Sequence, residues 1–265
     1  MTKSDQSINH WLAQLPPISL DEMSGIKLMN RTDTKFVTNK QKLVELLELA
    51  QGEYYVQQIE GSRIANYRTV YWDTPWHRFF LEHHNGRAPR QKIRVRTYLD
   101  SDLTFLEVKT KNNHGRTKKK RITVASQELQ SLVEAGGDEF VCKLTGITTA
   151  DIIPTVQNQF QRITLVNKGK TERLTIDFNV AFHNYETDSD AETGNLVIIE
   201  LKRDGNVFSP ILDKLRTLRI KPSGFSKYCI GSVITNNALK HNIFKKKMIR
   251  IRKYVGHQLP FQSKA

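Results

Sequence analysis

The chain has 265 residues, 38% of them hydrophobic and 26% charged, which supports a full buried core and excludes a disordered polyelectrolyte. Lysine and arginine number 41 against 27 acids, a formal charge of +14, so an anionic partner is expected: nucleic acid, an anionic membrane or phosphate-rich small molecules. No apolar run approaches the roughly 20 residues that span a bilayer and MTKSDQSINHWLAQLPP has no signal-peptide apolar stretch; with only Cys142 and Cys229, both in apolar settings, the expectation is a cytoplasmic protein without a disulfide framework.

Residues 1–30 read as helical with a break at Pro16-Pro17, TKFVTN as a short strand, and NKQKLVELLELAQ as a helix with apolar spacing. Strands are predicted at about 62–72, 90–99, 103–111 and 117–124, then a helix over ASQELQSLVEAG and a weaker helical region up to Pro154. Three more strands follow at 159–167, 171–180 and 195–203, a helix at 208–219, and GFSKYCIGSVITNN begins another. Turns such as Leu99-Asp100-Ser101-Asp102 and Asn167-Lys168-Gly169-Lys170 imply antiparallel hairpins, and regular strand–helix alternation is missing. The class is α+β, with about eight strands in a large antiparallel sheet and flanking helices.

Residues two apart on a strand share a face. Lys92, Arg94 and Arg96 therefore lie together opposite Ile93 and Val95, and Glu107, Lys109 and Lys111 oppose Leu106 and Val108. Lys119 and Arg121 form a third set, Arg173, Thr175 and Asp177 a fourth, and Glu200 with Lys202 a fifth. A solvated sheet face alternates too, but it favours Thr, Ser, Gln and scattered charges of both signs, whereas these faces hold cations at nearly every site. A sheet closed into a barrel with its charges inward explains the set better. Inward cations repel one another unless carboxylates and a multivalent anion compensate them, and the arginine fork and lysine ammonium both suit phosphate oxygens.

At these residues the sequence resembles the VTC-domain polyphosphate polymerases of the triphosphate tunnel (CYTH-like) superfamily. MNRTDTKFVT, YWDT, KIRVRTY, FLEVKTK, KKR, QRITL with RLTIDF, IIELK and GFSKY stand in the family's order, over roughly residues 20–235. The resemblance implies one domain across residues 1–265, an eight-stranded antiparallel barrel forming a triphosphate tunnel, with a basic C-terminal extension at 236–265. It also implies transfer of the terminal phosphoryl group of ATP to inorganic polyphosphate with Mg2+ or Mn2+, and no nucleic-acid partner. Carried over, Lys35, Arg94, Arg96, Lys109, Lys119, Arg162, Arg173, Lys202 and Lys227 are phosphate-binding cations, with Arg121 on the Lys119 face joining them. Ser226 stands beside the last lysine, Glu200 matches the metal-binding glutamate, and Lys35, Arg94, Arg96, Lys109, Glu200 and Lys227 make up the catalytic set. Phe160 replaces the family's usual tyrosine, and Gly224 stands where some members have a lysine.

Glu107 reads as a charge partner orienting Lys109 and Arg94, and Asp177 is similar. The histidines His77, His83, His84 and His114 have no metal-ligand spacing, and the adjacent pair is expected in an exposed loop. YWDTPWHRFF reads as a strand and a turn packed under the barrel. In FKKKMIRIRKYVG, Lys245, Lys246, Lys247, Arg250, Arg252 and Lys253 follow with no acid between them. That stretch is either a solvated helix end, a guide for an exiting polyanion, or a contact for an anionic membrane or membrane-associated partner. A tunnel triphosphatase is the competing enzyme, but RTDTKF keeps the lysine and lacks the glutamate pair of an ExExK strand. A non-catalytic polyphosphate-binding module is the alternative outside enzymes.

Overall fold

The structure is a computed structural model and describes residues 2–24, 26, 31–114, 116–125, 132–133, 136–205 and 207–255. Helix α1 (Lys3–Gln14), the short strand β1 (Pro17–Ile18) and helix α2 (Leu20–Ser24) lead into strand β2 (Arg31–Asn39). The Asn39 side chain then accepts from Lys42 N at 2.9 Å, capping α3 (Lys40–Leu49), whose Leu43, Leu46 and Leu47 are buried. Next come β3 (Tyr54–Gln57), β4 (Ala65–Asp73), α4 (Arg78–His84), β5 (Arg90–Tyr98), β6 (Leu103–Lys111) and β7 (Thr117–Val124). Helix α5 (Asp138–Thr145) precedes the long strands β8 (Ile153–Asn167) and β9 (Glu172–Asn184), then β10 (Ser189–Glu192) and β11 (Leu196–Asp204). Helices α6 (Pro210–Thr217), α7 (Lys227–Thr235) and α8 (Lys245–Val255) end the described chain.

The sheet runs β2-β11-β9-β8-β4-β5-β6-β7, an eight-strand path in which every pairing is antiparallel, with β1, β3 and β10 added at its margins. Among the described residues β2 and β7 are not paired with each other, so the tunnel is not sealed by strand pairing alone. The edge of β2 is instead taken up by the segment entering α7: Pro222 bridges Phe36, and Ser223 N donates to Lys35 O at 2.7 Å. Register shifts at Tyr71/Trp72 and at Gln159/Gln161 mark bulges, which bend strands and raise local twist.

Three large apolar clusters hold this shape, with a small fourth of Ile18, Met23 and Val166. Ile163, Leu165, Leu174, Ile176, Ile199 and Leu201 point outward and are covered by α1, α3 and α6 through Ile8, Leu12, Leu43, Leu46 and Ile211. Ile93, Val95, Leu106 and Val108 point outward on the other half and pack on Phe79 and Val141. On the inner face, at one end, α7 fills the space between Tyr71, Phe160, Phe182 and Ile198, with α8 behind it through Met248, Ile251 and Val255. Asp73 ties these parts together: its buried carboxylate accepts from the backbone N–H groups of Thr74, Phe79 and Phe80 and from the Tyr228 hydroxyl of α7.

The expected strands are present and the antiparallel α+β class holds, but β8 starts at Ile153, within the stretch expected to be helical, β9 runs on to Asn184, and β1, β3 and β10 are additions. The segment after YWDT departs from expectation. Residues 78–84 form α4, and His83 and His84 lie on it rather than in an exposed loop, with His84 3% exposed. The aromatic pair Phe79 and Phe80 is fully buried and carries the helix down onto the sheet. Cys142 is exposed and Cys229 buried, and neither forms a disulfide. Most of the helix expected over ASQELQSLVEAG (126–131 and 134–135) lies outside the described residues. No helix among the described residues is long and apolar enough to cross a membrane.

Gly231 lets α7 approach the sheet. A Cβ there would stand 2.4 Å from Cδ1 of Phe182, a ring 2% exposed. Gly231→Ala should therefore destabilise the fold by about 1–3 kcal/mol through overpacking, read as a melting temperature lower by several degrees. An unchanged melting curve would refute this packing of α7.

Candidate functional site

Alternation along the strands and the observed registers put the charged side chains on one interior surface. Arg94 is opposite Glu107 and Tyr71, Lys109 is opposite Lys92 and Lys119, and Glu107 is opposite Arg121. On the other half Glu200 is opposite Lys35 and Thr175, Lys202 opposite Arg173 and Asp33, and Arg162 opposite Asp177. The two halves face each other, since Lys109 of β6 acts electrostatically on Glu200 of β11, and Lys35 of β2 on Lys92 of β5.

Three carboxylates in this interior are each shared by two cations. Glu107 accepts from Arg94 Nε at 2.7 Å and pairs with Lys119 at 3.0 Å. Asp177 takes both arms of Arg162 (2.6 and 2.8 Å) and the Lys227 ammonium. Glu200 lies 3.2 Å from Lys202 and 3.7 Å from Lys35, whose ammonium also donates to Phe225 O at 3.0 Å. Burial by itself pushes each carboxyl up. The surrounding cations outweigh it and hold all three well below the usual carboxylate range: Arg94, Arg96 and Lys119 for Glu107, Arg162 and Lys227 for Asp177, Lys202 and Lys35 for Glu200.

Other cations are left over. Arg96 donates from Nε to Thr69 Oγ1 at 3.1 Å, and Lys92 donates to Ser226 Oγ at 2.9 Å. Arg96, Lys92 and Lys109 form no ion pair among the described residues. Their acidities carry the strain of that arrangement. Burial, then Arg94 and Arg162, bring Arg96 down to about 10, and burial with Lys35, Arg90 and Arg94 brings Lys92 down to about 8. Lys109 is held well below an ordinary lysine, first by Arg94 and then by burial. Lys227, despite Asp177, falls to about 8 through burial and Arg162.

Two rings form part of the tunnel wall. Tyr67 and Phe160 stack at 5.1 Å with their planes 3° apart. Around Phe160 sit Lys227 Nζ at 4.0 Å, Arg162 at 5.2 Å and Arg96 at 5.8 Å from the ring centroid. Where a tyrosine would offer a hydroxyl, this phenylalanine offers its negative face to three cations. Arg121 lies over Phe105 at 4.3 Å in the same way.

Lys35, Arg94, Arg96, Lys109, Arg162, Glu200, Lys202 and Lys227 thus fall on this interior, with Ser226 capping α7 and Arg173 beside Lys202, whereas Lys119 and Arg121 are exposed on the edge strand β7. Glu107 orients Arg94 as expected, but its second hydrogen bond goes to Lys119 rather than Lys109, which lies directly opposite Lys119 on the neighbouring strand. Sequence reasoning left Lys92 unselected although alternation had put it on the right face. It also missed Asp33, whose opposition to Lys202 is visible only from the β2–β11 register.

No group of three or more His, Cys, Asp or Glu that could hold a metal occurs among the described residues. The residues do fit a hard cation that brings phosphate oxygens as its remaining ligands. Side-chain exposure is 1% for Glu107 and 5% for Asp177, both tightly committed, against 24% for Glu200, whose ion pairs are longer. Glu200 is the carboxylate with an oxygen to spare.

The profile of the VTC domain matches residues 30–236. No curated protein matches the sequence. Among solved structures the fold is similar to a candidate adenylyl cyclase from Hippeastrum described as having a dominant triphosphatase activity (13% identity, 78% of this chain and 97% of that one, TM-score 0.50). It is also similar to candidate adenylate cyclases from Bacillus halodurans (12%, 75% and 96%, TM-score 0.49) and Vibrio parahaemolyticus (10%, 77% and 99%, TM-score 0.45).

The pairing pattern separates two adjacent arginines. Arg94→Ala strands the buried Glu107 charge, so it should lower stability by about 3–5 kcal/mol as well as anion binding. Arg96→Ala removes an uncompensated cation, so it should weaken triphosphate binding by roughly tenfold or more with little loss of melting temperature. Calorimetric titration with a non-hydrolysable triphosphate, beside thermal melting, reads both. Equal stability losses in the two variants would contradict the assignment of charges.

Proposed function

The chain belongs to the VTC domain family, and on that premise we propose that it is a polyphosphate polymerase, transferring the terminal phosphoryl group of ATP to a growing inorganic polyphosphate chain. The observation that carries this reading is the set of inward cations without carboxylate partners, Lys92, Arg96 and Lys109, on a wall whose Arg94, Lys119, Arg162, Lys202 and Lys227 are already paired. Such a wall favours a multivalent anion over any neutral or cationic ligand.

Phosphoryl transfer asks little covalent chemistry of a protein, and positioning with charge stabilisation supplies most of the acceleration. A terminal oxygen of the acceptor chain attacks the γ-phosphorus, the bond to the bridging oxygen breaks, and ADP leaves with that electron pair. Arg94, Arg96, Lys109, Lys35 and Lys227 surround the reacting phosphates and spread the charge of the transition state. Lys119, Arg121, Arg162, Arg173, Lys202 and Ser226 hold the remaining oxygens of nucleotide and chain. A divalent cation, Mg2+ or Mn2+, would be held by Glu200 and supplies charge neutralisation between phosphate oxygens when bound. The paired carboxylates keep their cations pointed inward before substrate arrives, so little reorganisation is needed.

A tunnel triphosphatase would use the same cations with water as acceptor. In sequence, Arg31 and Asp33 stand where an ExExK strand has its two glutamates, with Lys35 at the lysine, which leaves one carboxylate instead of two to hold metal and activate water. A binding module without catalysis would show no turnover at all.

Incubating the purified protein with ATP, Mg2+ or Mn2+ and a short polyphosphate primer should yield ADP and long polyphosphate, seen by electrophoresis with a polyphosphate stain. Stoichiometric orthophosphate with no polymer under both metals would leave hydrolysis as the better reading.

Glu200→Gln removes charge at nearly constant shape. It should abolish metal-dependent turnover while circular dichroism and melting stay near wild type, because Glu200 is the least buried of the three clamped carboxylates. Unchanged metal-dependent activity would remove Glu200 from the metal site.

A further inference from the structure

The basic helix α8 lies outside the residues 30–236 that match the family, yet it is docked rather than trailing. Met248, Ile251 and Val255 are 1%, 3% and 1% exposed in the same cluster as Tyr228, Val37 and Ile198, and Asn195 N donates to Val255 O at 3.2 Å. Burying that stripe fixes where the opposite face points. Lys247, one residue before Met248, brings its ammonium to 3.6 Å from where a Cβ on Gly224 would stand. Gly224 is two residues from Ser226, which receives the Lys92 ammonium at 2.9 Å. Arg90 shares the strand face of Lys92. The half-buried His83 lies near the three cations: its imidazole is pushed down to about 3 by burial, then by Lys92, Arg90 and Lys247.

These groups converge at the end of the tunnel capped by α7. We propose that α8 adds a phosphate-binding cation there: Lys247, seated against Gly224 beside Lys92, Arg90 and Ser226, forms a subsite for a phosphoryl group of a polyphosphate chain reaching beyond the triphosphate site. The subsite rests on the reading of the tunnel as a polyphosphate channel. Its ligand is a linear chain of phosphates, since Lys92 belongs at once to this cluster and to the unpaired row with Lys109, so that one chain of anions can follow the cations from the row to Lys247. Lys247 is exposed and forms no ion pair among the described residues.

The test is binding to the full chain without metal, so that turnover plays no part. Lys247→Ala should weaken binding of long-chain polyphosphate about five- to tenfold, the loss of one charge-assisted contact at a partly solvated site, while tripolyphosphate affinity stays within about twofold. Lys253→Ala, an equal loss of charge on an exposed position of the same helix, should change neither. Gly224→Lys in the Lys247→Ala background returns an ammonium to the same place and should restore most of the long-chain affinity. Equal effects of Lys247→Ala and Lys253→Ala would overturn the subsite while leaving the polymerase reading intact. Wild-type protein that binds tripolyphosphate but gains nothing from a longer chain would overturn both.

Discussion

Repulsion between cations facing one another inside a closed space is the constraint on which the rest of this structure depends. Two unit charges 4 Å apart near a protein surface cost about 4 kcal/mol, and the β5–β6 hairpin alone directs Lys92, Arg94, Arg96 and Lys109 to one face. The fold meets this cost with few acids. Glu107, Asp177 and Glu200 are each placed between two cations, so that each carboxylate relieves repulsion between a pair instead of neutralising one member. Their depressed pKa values are the signature of that arrangement, for a buried carboxyl titrates low only where the cations outweigh desolvation. The stability tied to these groups is fully present above the ordinary carboxylate range and is lost as pH falls toward their depressed folded values.

Helix α7 is the element through which packing becomes chemistry. Its first turn supplies Ser226 to Lys92 and Lys227 to Asp177, while Tyr228 reaches the buried Asp73 and Gly231 rests on Phe182. The segment before it covers the edge of β2 and brings Phe225 O to Lys35. One helix therefore completes the tunnel wall, fills one end with apolar side chains and aims two of its polar ones at the interior. Because the same residues do all three, a shift of α7 would disturb cations on β2, β5 and β9 together.

Much of this was legible in the sequence because strand alternation is a local signal. A period of two in RQKIRVRTY and FLEVKTK placed Arg94, Arg96 and Lys109 on one face, and the structure keeps them there. What the sequence could not supply was register. Asp33 opposite Lys202, Lys119 bonded to Glu107 and the sharing of Asp177 between Arg162 and Lys227 all depend on how distant strands align. Helix α4 was missed because seven residues rich in aromatics give too short a window for a helical period. Asp73 looked like a turn residue, since nothing local reveals that Tyr228, 155 residues away, will donate to it.

The division between paired and unpaired cations has a consequence for how the protein and its ligand share stability. Arg94, Arg162 and Lys202 are paid for by the fold itself and would be costly to bare, so they set the geometry of the wall. Lys92, Arg96 and Lys109 are not compensated, and burial together with the neighbouring Arg94 weakens the hold of each on its proton. An anion that enters relieves this second group without disturbing the first, and its binding energy adds directly to folding free energy. The tunnel is thus a shape whose own acids hold part of its cations in place and whose missing acids leave the rest as uncompensated positive charge that an anion would relieve.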